Sequence, residues 1–381
     1  MQAQAPSRQE PGSAVEAALL CIPQSPSVSR VRRSASGASV LSPSPRSKPP
    51  RLQLVLDIDH TLLHAAHVPG GAEAVPIDGV HSFLLDNPRA RRQDRYQVRT
   101  RHGLHSFLHE VQKFADVHIY TMAAKSYTRK VLNAIDPEVR LIRGRVLCRE
   151  DNQPDNFSKS LSHLQPADAE PAELDEFKAA YLVVDDRDEV WDNVSRPHVL
   201  QVPAFRAFDS DSQQAHIPPR VHDSSAAAWE ADGGGGSSSA SSSSSASSSA
   251  SGGFAMPDPT LMDVLRVLRR VHLDWSSGGE ESADRALDAQ RKGVLDKVHL
   301  VFAGGLLETP DHPERCAFWR LAESLGAQCH RKWDATFITH VVAGEKRSGS
   351  VERAVKEGVH AVSKEWLLHA AQRWCKQREE L

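Results

Sequence analysis

Leu54-Val55-Leu56-Asp57-Ile58-Asp59-His60-Thr61-Leu62-Leu63-His64 runs an apolar strand straight into two carboxylates and a hydroxyl. Alternate side chains of an extended chain share a face, so Asp57 and Asp59 point the same way, roughly 6.6–7 Å apart along the strand. Ile58 points the opposite way, into a core. Two acids at the end of a buried strand are costly unless something uses both. The gap between them can hold a phosphoryl group, with one carboxylate attacking and the other serving the leaving oxygen; Asp is a covalent nucleophile for such transfers. Open α/β sheets bind ligands in the crevice beyond the carboxyl ends of their strands. Taken alone, the same stretch also fits a polar loop after a strand, and the rest of the chain has to separate the two readings.

Two more strand ends carry matching chemistry. Val117-His118-Ile119-Tyr120 leads into Thr121, and Tyr181-Leu182-Val183-Val184 ends in Asp185-Asp186. Lys159 lies between them, in Phe157-Ser158-Lys159-Ser160-Leu161. Leu104, Phe107, Leu108, Val111 and Phe114 recur at helical spacing, as do Tyr127, Val131, Leu132 and Ile135. Strands alternating with helices predict an α/β fold with a parallel, Rossmann-like sheet, closed by Val199–Val202. The polar excursion from His67 to Asp94 reads as a hairpin or flap. In such a sheet all three strand ends face one edge, so their side chains can converge. Asp57 and one of Asp185 and Asp186 then offer hard oxygen ligands to Mg²⁺. Thr121 offers a hydroxyl to a phosphoryl oxygen, and Lys159 a fixed positive charge as the transition state forms. Gly70-Gly71 is not followed by Lys-Ser or Lys-Thr, which argues against a nucleotide-dependent kinase.

The whole chain has 381 residues and a formal net charge of −3, room for two domains and no global field drawing it to nucleic acid or membrane. Five scattered cysteines without a C-x-x-C pair suggest neither zinc nor a disulfide framework and fit a reducing compartment. No stretch is apolar for long enough to span a membrane. Residues 1–50, rich in Ser, Pro and Arg, read as a disordered tail. Residues 51–210 hold the acid motifs. Residues 211–256 form a linker whose 231–253 portion is nearly pure Gly, Ser and Ala, a flexible tether. Within 257–290, Leu261, Val264, Leu265, Leu268 and Val271 make an amphipathic helix that packs on one of the two domains. Residues 291–381 form a small α/β domain with strands at Val298–Phe302, Thr339–Ala343 and His360–Val362, and with Trp319 and Trp366 as core aromatics.

Asp57-Ile58-Asp59-His60-Thr61, Tyr120-Thr121-Met122, Ser158-Lys159-Ser160-Leu161 and Val183-Val184-Asp185-Asp186-Arg187 together resemble the haloacid-dehalogenase-superfamily phosphatases that act on the C-terminal domain of RNA polymerase II. Residues 294–381 resemble a BRCT domain, through the Gly304-Gly305 pair, Leu325-Gly326-Ala327, Thr339-His340-Val341-Val342 and Trp366. The combination is similar to the transcription-factor-IIF-associating branch. The resemblance implies a haloacid-dehalogenase-type sheet plus a BRCT domain, and a nuclear, Mg²⁺-dependent protein serine/threonine phosphatase. Asp57 becomes the nucleophile. Asp59 becomes the general acid and then base, with its backbone carbonyl on the metal. Thr121 and Lys159 bind phosphate, Asp186 is the inner metal ligand and Asp185 acts through water or on Lys159. Arg101 matches a family arginine near the substrate. Implied partners are the phosphorylated polymerase tail and transcription factor IIF, with no membrane or direct nucleic-acid contact. Ala303 stands where phosphoserine-binding BRCT domains carry Ser or Thr, which leaves Gly304 and Lys356 as the phosphate pocket. The alternative of another class is a phosphatase-like scaffold docking on transcription or repair complexes through its BRCT domain; the full set of carboxylates argues against it.

Overall fold

A computed structural model describes residues 50–68, 79–152, 158–165, 177–208, 258–303, 305–307, 309–344 and 349–379. The expected tail, the Gly/Ser-rich linker, Gly70-Gly71 and Gly304 lie outside these residues, apart from Pro50 at the tail's end. The described residues belong to one unit, Lys48–Leu381.

At its centre is β1 (Leu52–Leu56), flanked in parallel by β5 (Ala115–Tyr120) and β7 (Tyr181–Asp185). β6 (Val146–Leu147) and β8 (Val199–Gln201) add the edges, giving the order β6-β5-β1-β7-β8. Leu52, Leu54, Val55 and Leu56 are all fully buried, as a strand covered on both faces requires. α1 (Leu104–Val111) buries Leu104, Phe107, Leu108 and Val111, the apolar stripe of its sequence; Gly103 precedes it in the left-handed region, at φ 75°. α2 (Lys125–Ile135) buries Tyr127, Thr128, Val131 and Ile135. The excursion after β1 is a three-stranded antiparallel sheet, β2 (Leu63–Val68), β4 (Arg92–Thr100) and β3 (Val80–Asn87) in spatial order.

The second sheet, β10-β9-β11-β12, is also parallel. Its strands are β9 (His299–Phe302), β10 (Gln328–His330), β11 (His340–Ala343) and β12 (His360–Ser363). Two helices come before it: α3 (Thr260–Ser276) and α4 (Ala283–Lys292). Within it lie α5 (Ala317–Ser324), α6 (Gly349–Glu357) and α7 (Lys364–Arg373). Trp319 and Trp366 are buried there.

α3 packs on both lobes rather than on one. It buries Leu261, Val264, Leu265, Val267, Leu268 and Val271, and each such side chain contributes about 1.5–3 kcal/mol relative to exposure. Arg269 pairs with Glu110 on α1, while Asp263 pairs with Arg373 on α7 at 3.1 Å. One apolar core therefore runs from Leu54 and Phe107 through α3 and α4 to Trp366. At the α4 end the fit is tight: a Cβ on Gly326, at φ 93°, would lie 1.8 Å from the Lys292 carbonyl oxygen. The C-terminal lobe is thus joined to the first by packed helices, whatever the chain between 209 and 257 does. Among the described residues no helix is long and apolar enough to cross a membrane.

Candidate active site

Parallel register sets the site. Leu56 pairs with both Ile119 and Val184, so Asp57 comes level with Tyr120 and Asp185, and Thr121 follows one step on. The Asp57 N–H donates to the Val184 carbonyl at 3.0 Å, which extends the ladder to the acid itself. Ile58 is fully buried, as the alternation demands. Beyond Asp59 the chain must reverse sharply. His60 takes a left-handed φ of 63°, and its carbonyl accepts from the Phe205 N–H at 2.6 Å. His64 anchors the same turn: its Nδ1 accepts from the backbone N–H groups of Ala207 and Phe208 at 2.8 and 3.1 Å. Burial, with His60 and Arg206 nearby, lowers its pKa to about 4, so the ring stays a neutral acceptor.

Asp57, Asp185 and Asp186 each bring a carboxylate oxygen within 4.8 Å of the others. Lys159 is the cation among them. Its side chain is 2 % exposed, and Nζ donates to Asp57 at 2.6 Å and to Asp185 at 2.8 Å. Its backbone is held on the turn around Trp191, donating to the Val190 carbonyl and accepting from the Asp192 N–H. The Trp191 and Tyr120 rings flank the ammonium at 5.5 and 5.8 Å. Trp191 Nε1 also donates to Asp185 at 2.9 Å. Asp186 is gripped by Thr61, whose hydroxyl accepts from the Asp186 N–H at 3.0 Å and donates to its carboxylate at 3.2 Å.

Three carboxylates sharing one ammonium leave excess negative charge in a desolvated space. Burial raises the Asp57 carboxyl well above the usual range; Lys159 opposes this, and Asp185 and Asp186 push the same way as burial. Burial followed by Asp185 raises Asp186 to about 6. For Lys159, burial alone would lower the pKa, but Asp185 and Asp57 outweigh it and hold the ammonium above the ordinary lysine range. A second cation would relieve the surplus. Three oxygen donors from carboxylates are a hard-ligand set that suits Mg²⁺.

The carboxylate of Asp59 lies outside this trio. It accepts a 2.6 Å hydrogen bond from the Tyr127 hydroxyl. Burial, then Asp59, raises the Tyr127 pKa well above its usual value, which keeps the phenol a donor. Thr121 is buried at the end of β5, and its oxygen accepts from the Ala123 N–H at 3.1 Å, which leaves the hydroxyl proton for another acceptor.

Arg101, expected near substrate, is placed elsewhere. Its side chain is 2 % exposed and pairs with Asp258 at 2.7 Å. It also donates to the Thr61 carbonyl, the Pro203 carbonyl and the Thr260 hydroxyl. These bonds take four of the five N–H groups of the guanidinium. In the second lobe Lys356 is exposed on α6, and its partner Gly304 lies outside the described residues. By spacing alone Tyr127 belongs to an apolar helical stripe and counts as core, and His64 is one of many scattered histidines. No local signal marks the hydroxyl that reaches Asp59 or the imidazole that holds 207–208.

Residues 52–226 match the family of NLI interacting factor-like phosphatases. They form an NLI interacting factor-like phosphatase domain. Residues 306–366 match the twin BRCT domain family. RNA polymerase II C-terminal domain phosphatase-like 4 of Arabidopsis thaliana is 26% identical over 350 residues, 87% of this chain and 69% of that protein. An RNA polymerase II C-terminal domain phosphatase of Schizosaccharomyces pombe is 32% identical over 167 residues, 42% of this chain. The chain spans 21% of that relative's length. The solved structure of Fcp1, an essential RNA polymerase II CTD phosphatase, superposes with a TM-score of 0.54, covering 86% of this chain and 94% of that one at 21% identity, a match of fold. The phosphatase domain therefore has the Fcp1-like sheet, with Asp57, Asp185 and Asp186 at the carboxyl ends of its strands and Lys159 reaching them from the connection before β7.

Proposed function

We propose that the protein is a Mg²⁺-dependent phosphatase that removes phosphate from serine or threonine in the heptad-repeat C-terminal domain of RNA polymerase II, in the nucleus. The observation that carries this reading is the trio of carboxylates within 4.8 Å around one buried ammonium. The names of the relatives supply the substrate class.

Asp57, Asp185, Asp186 and the backbone carbonyl of Asp59 would hold Mg²⁺, which when bound neutralises phosphate charge beside the acids. Lys159 holds one oxygen of Asp57 and leaves the other to attack phosphorus. The ester oxygen departs with a proton from Asp59, and the phosphoryl group is left on Asp57. Asp59 then takes a proton from the water that attacks this aspartyl-phosphate, releasing inorganic phosphate and restoring the Asp57 carboxylate. Thr121 donates its free proton to a phosphoryl oxygen. Lys159 stabilises the charge that develops on the others. Tyr127 orients Asp59 through both halves. Transcription factor IIF is a proposed partner, and the BRCT lobe a recruiting module.

The test is dephosphorylation of phosphorylated heptad peptides beside p-nitrophenyl phosphate and sugar phosphates, with Mg²⁺ and with excess chelator. Turnover should stop in chelator and return with Mg²⁺; a preference for sugar phosphates overturns the substrate class. Protons compete for Asp186, whose carboxyl titrates at about 6 without metal. Asp57, also raised by burial, competes in the same direction, so the Mg²⁺ concentration for half activation should rise as pH falls through 6. A requirement flat across that range removes Asp186 from the metal site.

A further inference from the structure

We propose that Asp258 and Arg101 form a latch through which the start of α3 positions Thr61 and, with it, the Asp186 carboxylate. Burying a guanidinium costs several kcal/mol unless its donors are satisfied. Arg101 meets that cost with partners from three separate parts of the chain. Nε donates to Asp258 at 2.7 Å and Nη2 to the Thr260 hydroxyl at 3.1 Å, both at the N-terminal end of α3. Nη2 also donates to the Pro203 carbonyl at 2.8 Å, in the segment after β8. Nη1 donates to the Thr61 carbonyl at 3.1 Å, in the turn after the acid pair. The guanidinium lies over the Phe205 ring at 5.5 Å, and Phe205 in turn donates its N–H to His60.

Thr61 is the relay. Arg101 fixes its carbonyl, while its hydroxyl both accepts from the Asp186 N–H and donates to the Asp186 carboxylate. Asp258 reaches no reacting group itself, so it is a positioning residue. α3 is secured further along by Asp263 to Arg373, and by Arg266 to the carbonyls of Arg373 and Trp374, at the C-terminal end of α7. The helix thus connects the BRCT lobe to the catalytic turn through a single buried arginine. This gives Arg101 the work of orienting the turn, in place of a contact with substrate.

The experiment uses the full chain and titrates Mg²⁺ calorimetrically, beside p-nitrophenyl phosphate kinetics and thermal unfolding. Asp258→Ala should weaken Mg²⁺ binding roughly 5- to 10-fold, at or just below the loss seen when a ligand's supporting partner is removed. It should lower kcat more than it raises KM. Asp258→Asn keeps an acceptor for Arg101 and should fall between. Asp263→Ala cuts the Arg373 tie to α7 from the first turn of α3 and leaves every partner of Arg101 in place, so it should lower the Tm while leaving Mg²⁺ affinity at the wild-type value. If Asp258→Ala does not fold, Thr260→Ala, which removes one acceptor only, should shift Mg²⁺ affinity in the same direction by less. Wild-type Mg²⁺ affinity in the variant that folds, or an equal loss in Asp263→Ala, overturns the latch and leaves a structural ion pair. The proposal takes its meaning from the phosphatase reading, but the binding measurement does not depend on it. A protein inactive on phosphopeptides whose Mg²⁺ affinity still falls in Asp258→Ala would sink the substrate and keep the latch.

Discussion

Asp57→Asn should abolish turnover and leave the fold intact. The loss should be on the order of 10⁴-fold or more, the scale of removing an attacking group, because no other described carboxylate stands level with Tyr120 and Asp185 at the end of β1. The stability side is equally specific. Burial and two neighbouring acids disfavour the charged form of Asp57 in the metal-free protein. A neutral amide relieves that repulsion, and Lys159 keeps Asp185 as a partner at 2.8 Å. In chelator the Tm of Asp57→Asn should therefore equal or exceed that of the wild type. Phosphatase assays and thermal unfolding on the same sample decide it. Near wild-type turnover removes the aspartyl-phosphate route; a large drop in Tm shows that Asp57 is part of the fold's support.

Lys159→Met should damage both activity and stability. The side chain is fully enclosed and, among the described residues, is the one cation bonded to Asp57 and Asp185. Removing one partner of a buried ion pair typically costs about 3–5 kcal/mol, because the charge left behind is unpaired. Met fills most of the volume, so the effect reports charge rather than a cavity. The orphaned carboxyls then favour their neutral forms, with folded pKa values above the unfolded ones. The folded state holds more protons, so the destabilisation should grow as pH rises through the folded values and shrink in acid. Mg²⁺ should restore part of the lost Tm by replacing the missing positive charge. Thermal unfolding across pH, with and without Mg²⁺, tests this. A Tm unchanged at neutral pH in chelator would falsify a supporting role for the ammonium.

Much of the site was legible before the fold. Asp57, Thr121 and Asp185 each follow a short apolar run, and a parallel sheet brings such ends to one edge. Local periodicity also marked β1, β5, β7, α1, α2 and α3. Where the sequence was silent, the local signal was weak or the partner was distant. α4 buries only Ala283, Ala286 and Leu287, too thin a stripe to announce a helix. β6 is two residues long, and it forms because β5 offers an open edge beside it.

Arg101 shows the limit most clearly. Its neighbours in the chain matched an arginine near substrate, yet its ion pair is with a residue 157 positions away. Side-chain chemistry and spacing, written in the sequence, determined which groups could handle phosphate. The tertiary structure alone decided how each buried charge is compensated. It paired Lys159 with Asp57 and Asp185, and gave Arg101 to Asp258 rather than to a ligand. It also seated α3 on both lobes. The reason is that a buried charge takes whichever partner folding brings within hydrogen-bond reach, and that proximity depends on the packing of the whole chain.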